Sequence, residues 1–292
     1  MSTVKANTYQ DASGGNTATI NSMTPTADSL QGFRNRIING DMRIDQRNAG
    51  ASVTTTSDGQ YTLDRWNAQL TQSSKYSVQQ TTTAPAGFVN SLKVTSLSAY
   101  TVGSGDAFSI IQYVEGFNVA DLNWGSANAK TVTLSFWVYS SLTGTFGGAL
   151  VNSAQNRSYP FTYTISSANT WEYKTITIAG DTSGTWLTNN GRGINIYFSL
   201  GMGSTFSGTA GAWTGTSNIF SATGATSVVG TNGATFYLTG VQLEVGSVAT
   251  PFERRPYGTE LALCQRYYQK VFPQATNIHL ASGFVTLMYL YV

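Results

Sequence analysis

The sequence predicts an all-β chain, a sandwich or a barrel of antiparallel strands, and three observations carry that prediction. Charged residues make up only 10% of the 292 residues, and Thr, Ser, Asn and Gly stand where Glu, Lys and Arg would be. Long helices need charge on their wet face, whereas strands decorated with Thr and Ser do not. Second, several segments alternate with period 2. Val132, Leu134, Phe136 and Val138 interleave with Thr131, Thr133, Ser135 and Trp137, and Thr175–Ile178 and Asn195–Phe198 repeat the pattern. Third, Gly/Asn/Ser/Asp turns separate strand-like runs at the spacing of a sandwich or barrel.

Residues 1–32 precede that pattern and are too poor in apolar side chains to fold alone. They read as an extended docking arm. Two short alternating pieces, around Val4–Tyr9 and Thr17–Met23, are suited to adding a strand to another sheet's edge. Val4, Tyr9, Ile20 and Met23 are the candidate docking residues; the plainer alternative is a disordered tail. The arm lacks the apolar core of a signal peptide, so the expectation is assembly without Sec-type export.

Residues 33–255 read as the β-sandwich domain. Strands are expected near 36–46, 63–72, 76–81, 91–96, 108–114, 131–140, 145–152, 159–165, 172–178, 193–200 and 235–243. Residues 201–234 read as one long open loop around Phe206, Trp213 and Phe220. Residues 256–292 read as an oligomerisation segment. A helix is expected over Gly258–Lys270, with Thr259 as its N-cap and Leu261, Cys264 and Tyr268 at helical spacing. The last nine residues are apolar except for Thr286. Too short to span a membrane, they are expected to pair as a strand, with neighbouring subunits or within a longer domain.

The composition also excludes function classes. A net charge of +2 without a dense basic stripe argues against a nucleic-acid groove. Arg34, Arg36, Arg43 and Arg47 are spread among Asp41 and Asp45 and read as scattered solvated charges. No stretch reaches the length of a membrane helix. Cys264 stands alone, which excludes an intrachain disulfide, and reads as a packed small hydrophobe. His279, the one histidine, lies in an apolar stretch without a nucleophile's context. Asp106, Glu115 and Asp121 fall close enough in sequence to meet around a loop, yet surface or turn roles suit each better. The expectation is no catalytic residue, no metal site and no cofactor, although a calcium held by backbone carbonyls leaves no trace in sequence. Aromatics remain as ligand candidates, because sugar rings stack on exposed Trp and Tyr faces. Trp66, Trp137 and Trp171 sit in strand patterns and read as core or sheet-surface packing. Trp124 in a turn, Tyr159 after Asn156-Arg157-Ser158, and Trp213 in the long loop are the candidate carbohydrate platforms, with loop pinning as the commoner role for each.

A family resemblance rests on particular segments. Ile37-Ile38-Asn39-Gly40-Asp41-Met42, Leu63-Asp64-Arg65-Trp66, Thr133–Val138 and Gly180–Gly184 with Trp186 resemble phage tail-fibre and minor structural proteins. So do Leu238–Gly246 with Ala249–Glu253, and Arg266-Tyr267-Tyr268; Gln10–Asn16 resembles their leader. The strand ending in Gln242-Leu243-Glu244, followed by Gly and an Ala-Thr turn, also resembles carbohydrate-binding modules of the jelly-roll type. The resemblance implies an antiparallel jelly-roll-type β-sandwich with an extended N-terminal arm and a short C-terminal helix followed by a strand. It implies a virion protein, a tail-fibre or baseplate-appendage subunit that docks by its arm and projects the sandwich for host attachment. The alternatives are a glycan-binding receptor-recognition module and a head fibre or capsid decoration. The expected partners are two further copies in a homotrimer, other virion proteins and host surface polysaccharide, with no nucleic acid and no membrane insertion.

Overall fold

The computed structural model describes residues 32–271. The candidate docking residues Val4, Tyr9, Ile20 and Met23, together with His279 and the segment expected to pair as a C-terminal strand, lie outside the described residues. In chain order the strands are β1 (Val53–Thr54), β2 (Gln60–Leu63), β3 (Trp66–Leu70), β4 (Tyr76–Thr81), β5 (Ser91–Ser96), β6 (Ala107–Glu115) and β7 (Val132–Ser140). There follow β8 (Gly144–Val151), β9 (Ser158–Ile165), β10 (Glu172–Ile178), β11 (Arg192–Met202), β12 (Ser207–Gly208), β13 (Ser221–Ala222) and β14 (Thr235–Val245), then helix α1 (Tyr257–Gln265).

Two six-stranded antiparallel sheets result, ordered β1-β4-β5-β14-β7-β10 and β2-β3-β6-β11-β8-β9. Successive segments cross repeatedly from one sheet to the other, which is the jelly-roll habit. The inward set of each strand fills the space between the sheets: Trp66, Phe108, Phe136, Phe146, Phe161, Phe198 and Phe236 are all buried. Burying each such ring stabilises by about 1.5–3 kcal/mol before cavity terms. The strands expected from Tyr76 onward appear within two residues of their expected ends.

Four expectations need correction. Residues 36–46 form no strand. Asn39 and Met42 take positive φ, and the Asn39 side chain clips the loop shut, donating to Ile44 O and Asp64 O and accepting from Ile44 N. Ile37, Met42 and Ile44 are therefore buried from a coil, not from one face of a ladder. The run 63–72 is interrupted at its start: Asp64 and Arg65 make the tight turn between β2 and β3, with Arg65 at φ 71°.

The third correction concerns 201–234, which is not open. Its Phe220 stacks 4.7 Å from Tyr197 on the outer face of the second sheet, and Phe206 stacks 5.7 Å from Phe220. The two-residue strands β12 and β13 pair in parallel beside them. The fourth concerns the helix, which starts at Tyr257 behind Pro256 and ends at Gln265, so Thr259 lies inside it and Tyr268 beyond it. Cys264 is buried beside Ile38 and Ile44, and that burial pushes its thiol well above the ordinary range. Arg266 and Tyr267 both hydrogen-bond Glu115 at the end of β6, tying the segment after the helix to the second sheet.

Candidate functional site

The outer face of the first sheet carries a cluster of aromatic side chains that no strand or helix among the described residues covers. Its origin is strand parity. In β7 the residues Phe136 and Val138 point into the core, so Trp137 and Tyr139 point out. Register then aligns the neighbours: Trp137 lies opposite Tyr173 of β10 and Thr239 of β14, and Tyr139 lies opposite Tyr237 of β14, which lies opposite Lys93 of β5. Two rows cross the strands. One holds Tyr237, Tyr139 and Trp171, with Tyr139 4.9 Å from Tyr237 and 5.5 Å from Trp171. The other holds Trp137 and Tyr173, 5.3 Å apart, and continues into Phe88 and Phe252, 5.2 Å apart. The rows sit two residues apart along each strand, about 7 Å.

A bulge in β14 between Thr239 and Gln242 makes room for this arrangement. Gly240 sits there at φ +60°, and a Cβ on it would lie 2.7 Å from Phe88 Cζ and 3.1 Å from Trp137 Cδ1. Only glycine allows both the backbone turn and the close approach of the two rings. Thr239 Oγ1 donates to Asn90 O at 2.8 Å and holds the 82–90 loop, which carries Phe88, against the sheet. Tyr173 is 43% exposed, Tyr237 is 9% exposed, and Trp137, Tyr139 and Trp171 are half-buried. Rings fixed at their edges with part of a face open to water are what a saccharide stacks on.

The candidates nominated from sequence lie elsewhere, and they meet. Trp124 and Trp213 contact at 5.3 Å, Tyr159 and Trp213 at 5.3 Å, and Trp186 packs on both tryptophans at 4.7 and 5.4 Å. The contacts are edge to face. Trp124 is buried and donates from Nε1 to Lys130 O, which leaves no ring face for a sugar. Trp213 donates to Ala179 O and keeps part of its surface, as does Tyr159, whose hydroxyl burial pushes up. Beneath them Arg157 grips Asp181 with two bonds of 2.8 and 2.6 Å, and Asp181 also accepts from Trp186 Nε1. The geometry is that of a knot pinning the 181–187 and 211–216 loops to the end of the sandwich.

The three carboxylates do not converge. Asp106 and Glu115 flank β6 at opposite ends, about 30 Å apart along the strand. Burial pushes the Asp106 carboxyl up, but donors from Gly103, Tyr100 and Thr71 outweigh it and hold the group below the usual range. Glu115 is held low chiefly by Arg266, against its burial and with help from Tyr267. Asp121 pairs with Arg36 at 2.7 Å.

Sequence reasoning passed over the outer-face cluster, because it read Trp137 and Trp171 as core or sheet-surface packing. The signal was present in the alternation of β7, whose outward positions end in Trp137 and Tyr139, followed by Trp171 just before β10 and Tyr173 within it.

No family model matches the chain. No curated protein matches it. Solved structures match at a distance. A putative sugar binding protein from Bacteroides thetaiotaomicron is 11% identical with a TM-score of 0.42, over 73% of this chain and 100% of that one. The enzymatically active domain of tailspike protein 4 from bacteriophage CBA120 is 13% identical with a TM-score of 0.41, over 73% of this chain. The chain spans 22% of the length of that enzymatically active domain. The carbohydrate-binding module TmCBM61, in complex with β-1,4-galactotriose, is 11% identical with a TM-score of 0.36, over 73% of this chain and 99% of that one.

Proposed function

We propose that this chain is a glycan-binding attachment protein of a phage particle, which docks through its N-terminal segment, assembles as a trimer and presents the outer face of its first sheet to host polysaccharide without cleaving it. The observation that carries the glycan reading is the pair of aromatic rows at Tyr237-Tyr139-Trp171 and Trp137-Tyr173. The half-buried Trp137, Tyr139 and Trp171 and the exposed Tyr173 keep ring surface for the apolar faces of sugars, with the buried Tyr237 supporting them edge-on, while Lys93, Gln79 and Thr81 at neighbouring outward positions offer donors to hydroxyls. The particle reading draws on the resemblance of the 33–270 segments to tail-fibre proteins. The expectation that the polymer is bound and not cleaved is supported by the separation of Asp106 and Glu115 at opposite ends of β6 and by the pairing of Asp121 with Arg36.

The test is affinity electrophoresis of the purified chain through a panel of soluble polysaccharides. At least one polymer is expected to retard it, and Trp137→Ala or Trp171→Ala is expected to weaken that binding about ten-fold or more, as for a central anchor residue. Retardation by no polymer, or binding indifferent to both substitutions, would sink the assignment. Immunogold imaging of intact particles decides the virion role.

A further inference from the structure

Among the described residues, the cations that border the aromatic face lie on its β5 side. Lys93, on the β5 side, lies with Nζ 5.8 Å from the centroid of Tyr237 at the end of one row. Arg254 lies with its guanidinium 4.7 Å from Phe88 and 5.7 Å from Phe252, at the same side of the other row. Arg254 is exposed and Lys93 is half-buried. Neither has a carboxylate partner among the described residues.

The nearby carboxylates are all engaged elsewhere. Glu244 lies further along β14, buried, bonded to Thr250 and Gln242 and facing Arg34. Glu253, next to Arg254 in sequence, accepts from the backbone of Arg34 and Asn35 and faces Arg255. Glu172 belongs to the inward-parity set of β10 and is tied to Lys174 and to the backbone of Ser166 and Ser167. The outward positions from Lys93 to Tyr173 therefore present aromatic faces and positive charge with no competing negative charge. The row from Lys93 through Tyr237 and Tyr139 to Trp171 crosses β5, β14 and β7 and ends just before β10, a span of about 14 Å, which suits a short run of sugar rings crossing the strands.

From this we infer that the ligand of the aromatic face is a polyanionic polysaccharide, laid across β5, β14, β7 and β10 with an acidic substituent between Lys93 and Arg254. The inference rests on the glycan-binding reading and adds the charge class of the ligand. A neutral glycan would leave both cations idle. An acidic one engages them where the aromatic walls exclude part of the water, which strengthens the attraction over that of a fully solvated pair.

The experiment titrates the full chain with polygalacturonate, heparin, a neutral galactan, a neutral β-glucan and single-stranded DNA. An acidic polysaccharide is expected to bind about ten-fold tighter than either neutral polymer at about 50 mM salt, and to lose that advantage at about 500 mM as screening shortens to a few ångströms. Polygalacturonate and heparin separate a carboxylate from a sulfate requirement. Lys93→Gln and Arg254→Gln are each expected to weaken acidic binding about three- to five-fold and to flatten its salt dependence. Arg192→Gln, on the second sheet and stacked on Tyr113, is expected to change neither. Neutral polymers binding as tightly as acidic ones, or salt-insensitive acidic binding, would overturn the inference while leaving glycan binding intact. Single-stranded DNA binding as tightly as the acidic polysaccharides would overturn it in favour of unspecific polyanion attraction. No binding in any arm would remove the glycan reading itself.

Discussion

Replacing Arg255 by Met takes a guanidinium out of a nearly dry junction. Its side chain is 7% exposed and faces Glu253 and Glu260, which are 10% and 6% exposed, each at 3.3 Å. It also donates to the carbonyls of Ile37 and Asn35. The junction is where the 34–46 coil, the chain after β14 and α1 come together, because Glu260 accepts from Asn39 N at 2.5 Å and Glu253 from the amides of Arg34 and Asn35. Met fills similar volume but leaves two buried carboxylates without their cation. Breaking a buried pair in this way costs about 3–5 kcal/mol. For a domain of this size that corresponds to a fall in Tm of roughly 10 °C, at about 2–4 °C per kcal/mol.

The double variant Arg255→Met/Glu260→Gln separates charge from contact. Gln keeps an acceptor for Asn39 N and removes one stranded charge, so the double variant is expected to be more stable than Arg255→Met alone by at least about 1 kcal/mol. Chemical denaturation followed by tryptophan fluorescence measures both. A loss below about 1 kcal/mol for the single variant, or a double variant that merely sums the two single losses, would refute the account of the junction.

Three further outcomes are expected. Glu115 is held below the ordinary glutamate range mainly by Arg266, so the folded protein binds this proton less readily than the unfolded chain. Its contribution to stability is complete above the unfolded glutamate value and is lost as pH falls through the depressed folded one; Glu115→Gln should flatten the stability profile in that acid window, and an unchanged slope would show that the Arg266 contact carries nothing. Gly240→Ala should cost about 1–2 kcal/mol of backbone strain plus displacement of Phe88 and Trp137, and should weaken polysaccharide binding, whereas Gly59→Ala, with a similar φ and open space around it, should show only the backbone cost and no binding loss. Phe220→Ala removes the ring stacked on Tyr197 and should cost about 3 kcal/mol while opening residues 204–222 to limited proteolysis; resistance equal to the parent would mean that the cover is held by other contacts.

Much of the sandwich was legible in the chain because period-2 alternation is a local property. The alternation of Val132–Val138 with Thr and Ser, or of Glu172–Ile178, is written in neighbouring residues, and one buried face suffices to enforce it. The 36–46 segment misled for a complementary reason. Ile37, Ile38, Met42 and Ile44 look like a strand's apolar set, but Asn39 bonds Ile44 and Asp64 and bends the chain, and no sequence periodicity encodes a side chain that closes a loop on a residue 25 positions away. The same holds for Asp64-Arg65, a turn without glycine, where Arg65 lies 3.5 Å over the ring of Tyr267 from beyond the helix.

What the sequence by itself determined is strand content, the apolar inward set, the scarcity of charge and the presence of outward aromatics at Trp137 and Tyr139. Only the tertiary structure decided which aromatics share a surface. Trp124, Tyr159 and Trp213 are separated by 35 and 54 residues and gather with Trp186 into a knot around two buried tryptophans, while Tyr139, Trp171, Trp137 and Tyr173 gather beside the buried Tyr237 on the outer face of the first sheet. The physical reason is register. Parity within a strand tells which side a residue faces, but the order of strands in a sheet and the pairing Lys93–Tyr237–Tyr139 are set by long-range backbone hydrogen bonds and by the packing of two sheets against one core.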